Sequence, residues 1–145
     1  MSDMSDVLHA AMRGAVAAAA MTGMRALTVS LGLVEQPPPD AIAERGRLLD
    51  RVPPERRRAA VELAHWAYGA QGGAVFGMLP AVVRRRALAG PVYGLVLWLG
   101  FELGIAPLLG LRHAEEPRPA DRVALAVDHV LYGFVLSELR SRPQR

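Results

Sequence analysis

The chain contains no cysteine among its 145 residues. Disulfides and thiolate metal sites are therefore excluded, and the redox compartment leaves no trace in the sequence. Lysine is absent as well: all 17 basic residues are arginine. There is no glycine-rich phosphate loop, because the glycines lie inside apolar segments and not between a strand and a helix. Ser30 and Ser137 have no base nearby in sequence, so no hydrolase signature is present. Trp66 and Trp98 read as core or lipid-facing residues and form no stacking platform. No cofactor or catalytic residue is assigned. The net charge of +3 and the sequence pI near 10.2 invite a nucleic-acid reading. The arginines argue against it: they cluster at the ends of apolar blocks, form no stripe, and belong to no nucleic-acid motif.

What is present is apolar sequence in blocks. The apolar fraction is 52%, and the mean hydropathy is only +0.19 because the connecting segments are charged. One domain is expected at this length. The blocks predict four membrane-crossing helices, over about 8–34, 59–83, 87–111 and 123–139. The first is long enough to cross roughly 30 Å of hydrocarbon at about 1.5 Å per residue, and the fourth is the shortest. Arginine flanking apolar helices suits the way insertion sets orientation. The first block has a rival reading as a signal peptide. Acidic residues precede it and it continues past Arg25, which favours a retained helix. Pro37-Pro38-Pro39 ends it. A short helix over about 41–52, capped by Asp40, is then either interfacial or a solvated connector. Arg84-Arg85-Arg86 reads as a very short turn. Pro107 is expected to kink or end the third helix.

Small residues recur at helical spacing. Gly69, Gly73 and Gly77 bare one face of the second helix. Gly14, Ala18 and Thr22 do the same in the first, and Gly90, Gly94, Gly100 and Gly104 in the third. Small faces let helices approach closely, which drives association in lipid. The pattern His65-Trp66-Ala67-Tyr68-Gly69 returns as His129-Val130-Leu131-Tyr132-Gly133. This predicts tandem hairpins inserted in the same orientation, with an axis along the membrane normal. The fold class expected is thus all-α: an integral membrane four-helix bundle of two tandem helical hairpins.

Counting residues in from the loop side places Arg25, Glu62, His65, Glu102, Asp128 and His129 at a similar depth. Charges within a span are costly and are usually paired or functional. Three readings follow. Arg25 could pair with Glu102 or Asp128 and the histidines with tyrosine or backbone groups, so that the layer only fixes register. The layer could form a proton or ion path, since histidine titrates near neutral pH. Or Glu62 and His65, at i and i+3, could contribute to a metal site, although carboxylate-bridged bundles need a second such pair.

The Gly/Ala-rich first helix, the Pro-Pro-x-x-Ile stretch at 38–42 and the two His-x-x-Tyr-Gly helices resemble the YagU-like small bacterial inner-membrane proteins of unknown function. The resemblance implies topology and no activity. It places the chain in a bacterial inner membrane with the lipid bilayer as partner. The purely basic 84–86 turn favours cytoplasmic termini. The expected role is a non-enzymatic structural or accessory component, in a homo-oligomer or with a partner membrane protein. The alternatives are a small transporter or ion conductor, and a membrane metalloenzyme.

Overall fold

The computed structural model describes residues 4–32, 49, 51–108 and 119–138. It is helical and shows no strand among the described residues. Helix α1 spans Met4–Ser30, α2 Pro54–Met78, a short α3 Ala81–Arg84, and α4 Ala89–Gly100. A π-helical turn, Phe101–Ile105, joins α4 to α5, Ala106–Leu108, and α6 spans Pro119–Glu138. The helix expected over 41–52 falls largely outside the described residues, as do the C-terminal arginines.

Among the described residues the helix boundaries move relative to the sequence reading, and proline explains most of the shifts. α2 begins at Pro54, behind Pro53 in an extended conformation (φ −51°, ψ 136°). Proline suits the first helical position because that N–H has no intrahelical partner. The Pro53-Pro54 pair therefore opens α2 as well as closing what precedes it. α6 opens at Pro119 for the same reason. α2 stops at Met78 and does not continue to position 83. Pro80 forces Leu79 out of the α region, to φ −61° and ψ 147°. The basic turn becomes a ten-residue reversal containing α3. At the end of α1, Gly32 takes φ +69° and its N–H bonds the Val29 carbonyl at 3.0 Å. That is the left-handed helix stop that glycine favours.

Pro107 neither ends the third helix nor leaves it regular. Proline lacks an N–H and crowds the carbonyl four residues back, here Leu103. The strain is taken up at 101–105, where the backbone widens into the π turn.

Two antiparallel hairpins result, α1 with α2 and α4 with α6, joined along α1 and α6. Their seams are backbone against backbone. A Cβ on Gly14 would fall on the Gly69 carbonyl oxygen, and one on Gly73 on the Ala10 carbonyl oxygen. One on Gly69 would sit 2.5 Å from the Ala18 Cβ, and one on Gly77 2.8 Å from the Ala10 Cβ. In the second hairpin Gly90 meets Gly133 and Ser137, and Gly94 meets the His129 carbonyl. The registers match: Gly14 corresponds to Gly90, Ala18 to Gly94, Gly69 to Gly133 and Gly73 to Ser137. Gly100 and Gly104, grouped with the packing glycines by their spacing, touch nothing within 4 Å.

The hairpins are tied by hydroxyls. Tyr132 Oη donates to the Gly69 carbonyl and Tyr93 Oη to the Gly72 carbonyl, both at 2.6 Å. Phe76 and Tyr93 stack at a tilt, with centroids 5.1 Å apart. Because Tyr132 reaches Gly69 while His129 shares a cavity with His65, the two histidine-bearing helices run in the same direction.

The core is small and the exterior is apolar. Ala17, Ala18, Met21, Phe76, Tyr132 and Leu136 form the buried cluster. Among the described residues eight hydrophobic side chains are buried, while 22 large ones are exposed, including Leu8, Val92, Val96, Val127 and Phe134. Yet no helix among the described residues is long and apolar enough to cross a membrane. Two features contribute to this. Arg13 and Arg25 interrupt α1, and the π turn divides the third apolar block into short helices. The finding does not support the expectation of four membrane-crossing helices.

The seam yields a test with two signs. Gly73→Leu or Gly14→Ala places a side chain onto backbone that cannot retreat, and is expected to cost about 3 kcal/mol, the upper end for overpacking. Gly23→Ala, where a Cβ meets nothing within 4 Å, is expected to stabilise α1 by up to about 1 kcal/mol. Thermal unfolding of the purified variants checks both. Equal melting of Gly14→Ala and Gly23→Ala would contradict the backbone seam.

Candidate functional site

A cavity of about 220 Å³ lies where the hairpins meet. Met21 and Arg25 of α1 line it, with Ala64, His65 and Tyr68 of α2. Trp98 of α4, Phe101 and Ile105 of the π turn, and Leu125, Asp128 and His129 of α6 complete the wall. The wall is apolar except at a few converging heads, the usual form of a small-molecule site. The π turn matters here because it supplies both Phe101 and Ile105.

Four of the six residues expected at one depth line this cavity: Arg25, His65, Asp128 and His129. Glu62 stands beside it, bound to Arg25. Glu102 does not join them. Arg25 was expected to pair with Glu102 or Asp128, but its ion-pair partner is Glu62, with Nη1 3.9 Å from Oε1. Its Nη2 lies 3.2 Å from His65 Nε2. Glu62 and His65 are one turn apart on the α2 face that the glycine seam presses against α1, so they reach the guanidinium first. Glu102 pairs instead with the exposed Arg122 at 3.9 Å, because the first turns of α6 bring that guanidinium alongside the π turn.

Arg25 and Asp128 are buried, at 8% and 5% exposure. A guanidinium can only donate, so His65 Nε2 accepts from it and the ring is neutral, with its proton on Nδ1. His129 Nδ1 lies 2.8 Å from the Leu125 carbonyl, an acceptor, so this nitrogen carries a proton. In the neutral ring Nε2 is left as an acceptor.

Three participants were not evident from sequence. Thr22, read there only as a small packing residue, donates to Glu62 Oε2 at 3.0 Å and accepts from the Trp66 indole at 3.2 Å. It thus orients the carboxylate that holds Arg25. Its place three residues before Arg25, on the same helical face, is the signal that could have found it. Trp98 lines the cavity, and its indole N–H is buried with no hydrogen-bond partner. Phe101 depends on the π turn, which only Pro107 hinted at. The carboxylate-bridged metal site lacks a ligand set: no group of three or more His, Cys, Asp or Glu that could hold a metal occurs among the described residues.

Removing one partner of a largely buried ion pair leaves the other uncompensated. Glu62 keeps 24% of its side chain exposed, which moderates the effect. Glu62→Gln is therefore expected to destabilise by about 1–3 kcal/mol. Adding Arg25→Gln should restore most of that loss. Thermal melting of the single and double variants decides it, and a double variant no more stable than Glu62→Gln would show that the pair is not the cause.

Comparison with known proteins adds no relative: no family model matches the chain, and no curated protein or solved structure matches it.

Proposed function

We propose that this chain is a small, non-enzymatic inner-membrane bundle that binds and passes a small solute or proton through the Arg25–His65–Asp128–His129 cavity. One observation carries the reading: ionisable residues converge inside a bundle whose outside is apolar. That is the reverse of the arrangement water favours, and it is the arrangement lipid favours.

The shortfall in apolar helix length is compatible with this. The charges that interrupt α1 do not all meet the surroundings: Arg25 is turned inward and paired with Glu62. α4, the π turn and α5 follow one another without a gap from Ala89 to Leu108. Together they make a rod of roughly 30 Å, the depth of a hydrocarbon core, holding Glu102 as its one charged residue. Asp6, in the first turn of α1, pairs with Arg84 at 3.5 Å. This bridges the start of the first hairpin to the basic reversal on one face, consistent with four crossings. The bacterial inner-membrane location, the cytoplasmic termini and the likeness to YagU-like proteins belong to the same proposal.

The cavity favours a solute-handling role over a purely accessory one. A second reading, as a structural component with a homo-oligomeric or other membrane partner, draws support from the glycine seams and the two tyrosine bonds. Flux separates the two. Purified chain in proteoliposomes loaded with a pH-sensitive dye is expected to admit protons faster than protein-free vesicles. His65→Ala and His129→Ala should each lower that rate at least tenfold. Equal rates in wild type and variants would contradict passage through the cavity and favour the structural reading.

A further inference from the structure

The cavity carries a charge imbalance that narrows what it can hold. Its neighbourhood has one fixed cation, Arg25, and two carboxylates, Glu62 and Asp128. Glu62 takes the guanidinium in an ion pair, and His65 takes its second terminal nitrogen. Both contacts hold Arg25 on the α2 side. His65 is neutral by its hydrogen bond. A second cation on His129, beside Arg25 in an apolar wall, is disfavoured by charge repulsion and desolvation alike. Asp128 on α6 feels the Arg25 charge across the cavity but makes no ion pair with it, so one guanidinium is shared between two carboxylates and one negative charge is left in excess. Asp128 is buried, at 5% exposure.

The remaining wall is aromatic and aliphatic: Tyr68, Trp98, Phe101, Ile105 and Leu125. A hard metal ion needs six or more oxygen ligands for calcium, or near-octahedral coordination for magnesium. No suitable cluster exists among the described residues. A diffuse organic cation needs less: one carboxylate for its charge and aromatic surface for its body.

We propose that the cavity binds a lipophilic organic monocation, an ammonium carrying an aromatic or branched aliphatic group, with Asp128 as its counter-ion and Tyr68, Trp98 and Phe101 as its walls. The proposal rests on the solute-handling reading and names the class of solute. At about 220 Å³ the space suits one small aromatic ammonium and not an extended amphiphile. Trp98 supplies a natural reporter, because a cation entering the cavity changes the surroundings of its indole.

The test uses the full-length chain in mild detergent with three probes of nearly one shape. Benzyltrimethylammonium is the cation, neopentylbenzene its neutral carbon isostere, and phenylacetate an anion. Tryptophan fluorescence and calorimetry read the binding. The expected result is one-to-one binding of the ammonium, at least tenfold tighter than either other probe. Asp128→Asn, nearly isosteric, should lose at least tenfold of that affinity while its melting curve shows that the fold survives. Ammonium and neutral isostere binding equally, with Asp128→Asn without effect, would overturn the cation assignment and leave a binding cavity. Preferential binding of phenylacetate would overturn it in favour of Arg25 as anchor. Binding of none of the three, in a chain whose proton flux still depends on His65 and His129, would overturn the cation proposal and leave the passage reading intact. Loss of both would remove the two together.

Discussion

Backbone contact between α1 and α2 is the constraint on which the rest of the structure depends. Gly14, Gly69 and Gly73 remove the side chains that would hold the helices apart. On the proposed membrane reading, where expelling water gives no drive for helices to associate, such close packing is a main source of cohesion. The approach also has a chemical consequence. It brings Thr22 and Arg25 of α1 within hydrogen-bonding and ion-pairing range of Glu62 and His65 of α2. The polar cluster is built at the seam because the seam is narrow. The second hairpin repeats the device at Gly90, Gly94 and Gly133. Its His129 lines the same cavity as His65.

Glycine serves a second purpose at the junction of the hairpins. Gly72 has no side chain to fend off Tyr132, whose hydroxyl would lie 2.9 Å from a Cβ there. The tyrosines can therefore donate to helix carbonyls that are already part of the α2 ladder. Two such bonds fix α2 against both helices of the other hairpin. The cavity opens beyond these bonds, toward the π turn, where the helices are no longer pinned.

Much of this was legible in the sequence, and the failures have physical causes. The glycine spacing announced the first seam, because residues four apart share a helix face. The His-x-x-Tyr-Gly repeat announced the matching second hairpin. Gly100 and Gly104 have the same spacing but lie where no helix approaches, and spacing alone carries no information about that. Helix ends were misplaced because a proline reads equally as the end of one helix or the start of the next. Pro54 and Pro119 are starts, while Pro80 separates α2 from α3. The partner of Arg25 was misassigned because several carboxylates stand at similar depth, and only rotation about the helix axis selects Glu62. The π turn was hinted at by Pro107, but its placing of Phe101 and Ile105 on the cavity wall depends on backbone geometry that residue spacing does not carry.

The central claim is that this bundle presents its apolar side chains to lipid and keeps its charges within. Because the chain has no native cysteine, single nitroxide labels can be placed at Val96→Cys and Val127→Cys, positions 57% and 55% exposed. In lipid nanodiscs, their collision rates with oxygen and with a water-soluble nickel chelate measure the surroundings directly. Oxygen should dominate at both positions. Dominance of the nickel chelate at both would mean that these faces meet water, and would contradict the account.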